Sequence, residues 1–93
     1  MPKPPSEAEH VSEVDTALLD AELFIKYQAP ERALKRLRAA LEGNARSIPL
    51  RERMREICIS QKEVAEAARH CLALARLYIE RDEFDGARAH LRR

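Results

Sequence analysis

Glycine and aromatic residues are nearly absent from this chain of 93 residues, which has 2 Gly, no Trp, 2 Tyr and 2 Phe. A β-sandwich draws on turn glycines and on Val, Ile, Thr and Tyr, so the composition speaks against that class. With 2 Gly there is no room for a P-loop, a dinucleotide-binding glycine pattern or a G-x-S-x-G elbow. An excess of charge of one sign is missing too. The net charge is +1, so no overall field calls for nucleic acid or a membrane surface. No apolar run reaches the length of a membrane span. The opening "MPKPPSEAEH" is polar and proline-rich and lacks the apolar centre of a secretion signal. The 2 cysteines form no closely spaced pair and read as reduced thiols of a cytoplasmic protein.

What remains favours helix. Hydrophobic residues are 45% and charged residues 35%, drawn mainly from Ala, Leu, Glu, Arg and Lys. The length implies one small domain. Residues 1–12 are expected to form a flexible arm, because Pro2, Pro4 and Pro5 block early helix. Residues 13–93 then form the helical domain. Ser12 with Asp15 fits an N-cap, and the first helix runs to about Gln28. Its apolar stripe is Val14, Ala17, Leu18, Ala21, Phe24 and Ile25. Pro30 opens a second helix carrying Ala33, Leu34, Leu37, Ala40 and Leu41. Gly43–Asn44 is expected to end it through positive φ. Ser47 and Pro49 open a third helix with Leu50, Met54, Ile57 and Cys58. "SQKE", Ser60 to Glu63, reads as a capping box that starts a fourth near Gln61. Asp82 is expected to cap a fifth helix, which carries Phe84, Ala87 and Leu91 toward the core. The fold class expected is all-α, with about five antiparallel helices joined by short turns.

The sequence also repeats itself. The step from Ala33 to Ala67 also takes Phe24 to Cys58, Leu37 to Cys71 and Ala40 to Leu74. A helix–turn–helix period of this length resembles the tetratricopeptide repeat family, over about two and a half repeats. The resemblance implies a right-handed superhelix of helical hairpins. It places small residues early in second helices, at Ala33, Ala67 and Ala87. Larger residues pack against them late in first helices, at Phe24, Cys58 and Tyr78. Leu37, Cys71 and Leu91 close the layer one turn later. The chain departs from the family in lacking the early tryptophan and the Leu-Gly pair of the first helix. The step from Ala67 to Ala87 is also much shorter than the step from Ala33 to Ala67. The fourth helix is therefore expected to serve two repeats, with apolar residues on two faces and alanines where helix axes approach.

No constellation points to catalysis. Cys58, Cys71 and His70 lack the spacing of a zinc site, and no cofactor is expected. Cys58 and Cys71 are instead expected to face one another in the core as free thiols. Charge is unevenly placed. Glu7, Glu9, Glu13, Asp15, Asp20 and Glu22 precede a basic stretch from Arg32 to Arg55. That stretch reads as a solvated face, or as a surface for an acidic or phosphate-bearing partner. The family resemblance implies a non-enzymatic protein–protein interaction module or scaffold. A peptide or partner helix would lie in the groove lined by first helices, touching Leu19, Glu22, Lys26, Arg53, Glu56 and Ser60. The family's carboxylate clamp is not expected, because the only asparagine is Asn44, in a turn. The rival reading is a nucleic-acid-binding domain using Arg36, Arg38, Arg46 and Arg51, disfavoured by the scarcity of stacking aromatics. A third is a structural spacer cut from a longer repeat protein. Self-association through the C-terminal stacking face is expected where that face has no cover.

Overall fold

The computed structural model describes the backbone of residues 7–91 and the side chains of residues 13–83. Four helices follow one another: α1 (Glu7–Lys26), α2 (Pro30–Gly43), α3 (Ile48–Ser60) and α4 (Val64–Leu91). Among the described residues there is no strand. None of the helices is long and apolar enough to cross a membrane. α1 and α2 pack as one hairpin and α3 and α4 as another, and α3 also lies against α2 and α1.

Small residues let the helices approach closely. Ala17, Ala21 and Ala33 are fully buried, and Ala40 and Ala67 nearly so. Leu37, Leu50, Met54, Cys58 and Leu74 are the largest side chains in the sealed interior. Val14, Leu18, Phe24, Ile25 and Leu41 close its edges, half-buried. Each fully buried leucine or methionine contributes roughly 1.5–3 kcal/mol by leaving water.

The two hairpins turn in the same way. After α1, Gln28 adopts φ 61°, its N–H donates to Ile25 O at 3.0 Å, and Ala29 N–H donates to Phe24 O at 2.7 Å. After α3, Lys62 adopts φ 61°, its N–H donates to Ile59 O at 3.1 Å, and Glu63 N–H donates to Cys58 O at 2.8 Å. Both are paired C-terminal caps of the Schellman type. The step from Ala33 to Ala67 also carries each residue of the first turn onto its counterpart in the second. The backbone therefore repeats at the spacing seen in the sequence.

Several expectations are corrected. Among the described residues there are four helices, not five, because α4 runs unbroken through Asp82. A capping residue must leave helical φ and ψ, and no proline follows Pro49 to force that step. Ala87, Leu91 and Phe84 fall inside α4, but their side chains lie outside the described residues. α1 starts at Glu7, so Ser12 lies inside it rather than capping it, and the backbone of residues 7–12 is helical. Between Pro5 and the turn after Lys26 there is neither proline nor glycine to oppose helix. Ser60 is the last residue of α3 rather than a cap of α4, since Lys62 takes the turn instead. Gly43 is helical, and Asn44 ends α2 at φ −140° with its Nδ2 donating to Ala40 O at 2.9 Å. Ser47 does cap α3, its Oγ accepting from Leu50 N–H at 3.4 Å. Finally, Cys71 and Tyr78 are exposed, so neither fills a core slot, and Cys71 does not face Cys58 in the interior. The neighbouring His70 is buried instead.

Candidate functional site

Burial differs between the two hairpins at matching positions. On α2, Leu34 and Leu37 are buried and Leu41 is half-buried. Their counterparts one repeat later, on α4, are Ala68, Cys71 and Ala75, all exposed. This side of α2 also carries Arg38, which reaches across to α4, so it is covered by the second hairpin. Among the described residues nothing covers the same side of α4. The reverse holds at the other end. Leu50, Met54 and Ile57 of α3 are buried, whereas Thr16 and Leu23, the α1 counterparts of Leu50 and Ile57, are exposed, and Asp20 is half-exposed. The result is two open faces. The α1 face shows Leu19, Leu23 and Tyr27, exposed by 66%, 52% and 75%. The α4 face shows Leu72 and Ile79, exposed by 68% and 56%, among alanines.

The predicted groove residues are divided. Arg53 Nη1 donates to Glu56 Oε2 at 2.6 Å, and Arg53 Nε lies 2.6 Å from Glu22 Oε1. This trio joins α1 to α3. Leu19, Lys26 and Ser60 are exposed, and Ser60 lines a shallow hollow with Ile25, Gln28, Pro30 and Gln61.

The arginines of the nucleic-acid reading have partners within the chain. Arg36 Nε donates to Asp20 Oδ2 at 2.9 Å. Arg46 pairs with Glu80, and Arg38 with Glu66. Arg51 Nη1 lies 3.3 Å from His70 Nδ1. A phosphate-bearing or acidic partner would have to compete with the carboxylates of Asp20, Glu66 and Glu80, and at Arg51 with the His70 ring.

A polar cluster lies between α2, α3 and α4. Glu66 and His70 share one face of α4 at the i,i+4 spacing. Cys58 of α3 completes a group whose donor atoms all lie within 4.8 Å of one another. Arg51 can only donate, so His70 Nδ1 accepts, and the ring proton resides on Nε2. Nε2 then donates to Glu66 Oε2 at 3.3 Å. Burial holds the His70 pKa below its ordinary value, against the pull of Glu66, so the ring is neutral near pH 7. The Arg38 hydrogen bonds hold the Glu66 carboxyl below its usual range. Burial, then the negative charge of Glu66, pushes the Cys58 thiol up to about 11. Cys58 is thus a sealed thiol, not a thiolate. The trio could offer a metal one sulfur, one nitrogen and one oxygen. Arg38 already occupies both Glu66 oxygens, so an ion would have to displace a guanidinium. As it stands, the cluster ties three helices together, with the buried Arg51 Nε left without a hydrogen-bond partner.

Sequence reasoning missed Glu66, Leu23, Tyr27 and Ile79. Glu66 and His70 were visible as a helical i,i+4 pair, but Arg38 comes from 28 residues away. Leu19, Leu23 and Tyr27 recur every four residues off the core stripe of α1, which was the available signal. Comparison with protein-family models, with curated proteins and with solved structures found no match for this chain.

Proposed function

We propose that this chain is a non-enzymatic protein–protein interaction module of the tetratricopeptide kind, which receives an amphipathic helix of another protein. The observation that carries this reading is the contrast between hairpins. Positions buried between the two hairpins are open at the outer ends of the pair. Rows of exposed large apolar side chains on a small domain mark contact surfaces. The turn that recurs after α1 and α3 supports the family reading. The groove between α1 and α3, with Leu19, Glu22, Lys26, Arg53, Glu56 and Ser60, forms the polar margin of the α1 surface. Its charged trio is already paired, so the apolar row supplies the affinity and the groove supplies orientation.

The test is a titration with two synthetic helices that share an apolar row but carry lysine or glutamate flanks, read by amide chemical shifts. Shifts clustered on residues of α1 or α4 named above are expected. No binding by either helix at millimolar concentration, or shifts confined to the outer side of α2, would defeat the proposal. The nucleic-acid alternative predicts instead that an RNA oligonucleotide binds and is lost steeply as salt rises.

A further inference from the structure

We infer that the occupant of the open α4 face is the open α1 face of a second copy of this chain, stacked head to tail. The inference deepens the interaction-module reading and rests on it. Its ground is the repeat itself. The step that carries α1 and α2 onto α3 and α4 preserves the backbone hydrogen bonds of the turn. Tyr27 to Leu23, Gln28 to Ile25, Ala29 to Phe24 and Ala33 to Ala29 recur as Gln61 to Ile57, Lys62 to Ile59, Glu63 to Cys58 and Ala67 to Glu63. One further step of the same kind would lay a hairpin of a second copy on α4. That copy's α1 then takes the place that α3 holds against α2.

The surfaces suit this placement. Leu23 would occupy the position of Ile57, which is 3% exposed in the chain's own interface. It would meet the α4 residues Ala68, Cys71 and Ala75, which replace the larger Leu34, Leu37 and Leu41. The α4 side is therefore shallow, and Leu23 is the large apolar side chain that α1 brings to it, beside the smaller Thr16 and Asp20. Asp20, the counterpart of Met54, enters already paired with Arg36 of its own chain. Among the described residues α1 exposes Glu13, Asp15 and Glu22 against Lys26, and the first half of α4 exposes Arg69 and Arg76, while its later turns carry Arg81 with Glu80, Asp82 and Glu83. Unlike a two-fold dimer, a contact between two different faces leaves one of each unused, so it propagates.

The experiment is sedimentation velocity on the full chain from micromolar to millimolar concentration. Two variants are included: Leu23→Glu on the α1 face and Ala75→Glu on the α4 face. Both positions are exposed, and unchanged circular dichroism confirms that each variant folds. The wild type is expected to gain mass with concentration and to pass beyond two copies. Each variant alone should associate at least ten-fold more weakly. An equimolar mixture of the two should recover association and stop at two copies, because one intact α1 face and one intact α4 face remain. A wild type that is monomeric throughout, a plateau at a dimer, or variants that assemble as well as the wild type would overturn the inference. If the wild type stays monomeric but still binds a synthetic amphipathic helix, self-stacking fails and the interaction-module reading stands.

Discussion

Arg38 of α2 grips the carboxylate of Glu66 on α4 through Nε, at 3.1 Å, and through Nη2, although 28 residues separate them. The pair spans the two hairpins. Glu66 in turn accepts from His70 Nε2 at 3.3 Å. The cluster gives the fold a charge pattern that depends on protonation.

Acid should weaken the fold in two stages. The His70 pKa is lowered from 6.5 in the folded state, by burial first, with Arg51 and Arg69 also opposing its charge. Below 6.5 the unfolded chain takes up that proton more readily than the fold does, so stability drops. The Glu66 pKa is lowered from 4.5, mainly by Arg38, so its contribution is present above that pH and lost as pH falls further. Melting temperature measured from pH 8 to pH 3 should therefore be flat at first and then fall. His70→Gln should flatten the first limb and leave the second. An unchanged first limb would refute the assignment.

The two thiols should react at very different rates. Cys58 is buried, with its pKa pushed up to about 11, whereas Cys71 is exposed. A disulfide reagent at pH 8 should modify Cys71 within the mixing time of the native protein. Cys58 should wait for unfolding. Equal rates at both sites would contradict the burial of Cys58.

Ala67 lies 7% exposed against the shared core. Ala67→Leu adds a side chain where α4 approaches its neighbours and should cost about 1–3 kcal/mol. Urea denaturation gives the value. No loss would mean that the helices do not approach closely at this alanine.

Gln28 and Lys62 both hold φ 61° without being glycine. The left-handed region costs a side-chain-bearing residue roughly 1–2 kcal/mol relative to its preferred regions. Lys62→Gly should therefore raise stability, by about 0.5–1 kcal/mol after the extra freedom of the unfolded glycine is counted. A stability loss larger than that gain would show that the lysine side chain makes a contact the fold needs.

Asp82 is interior to α4 rather than a cap. Asp82→Ala should leave stability level or raise it by up to about 0.7 kcal/mol, as helix propensity dictates. A loss near 1 kcal/mol would be the signature of a missing cap and would restore the fifth helix. Amide exchange across residues 78–86 distinguishes the two directly.

Local chemistry by itself determined that the chain is helical, where α2 and α3 begin, and which stripe of α1 and α2 faces inward. Pro30, Ser47 and Pro49 act within one turn, and the apolar stripe repeats every three or four residues, so no distant contact is needed to read them. The repeat step was legible for the same reason, since Ala33 and Ala67 each follow the same turn at the same distance. Tertiary structure decided the rest. Glu66 met Arg38, and Arg53 met Glu22, only because the hairpins stack, and no spacing along the chain encodes a pair across helices. The turns at Gln28 and Lys62 were hidden because neither is the glycine that usually marks positive φ. Cys71 was read as core from its match to Leu37, yet burial belongs to the neighbour as well as to the residue. α2 has α3 beside it, while the matching side of α4 is open among the described residues.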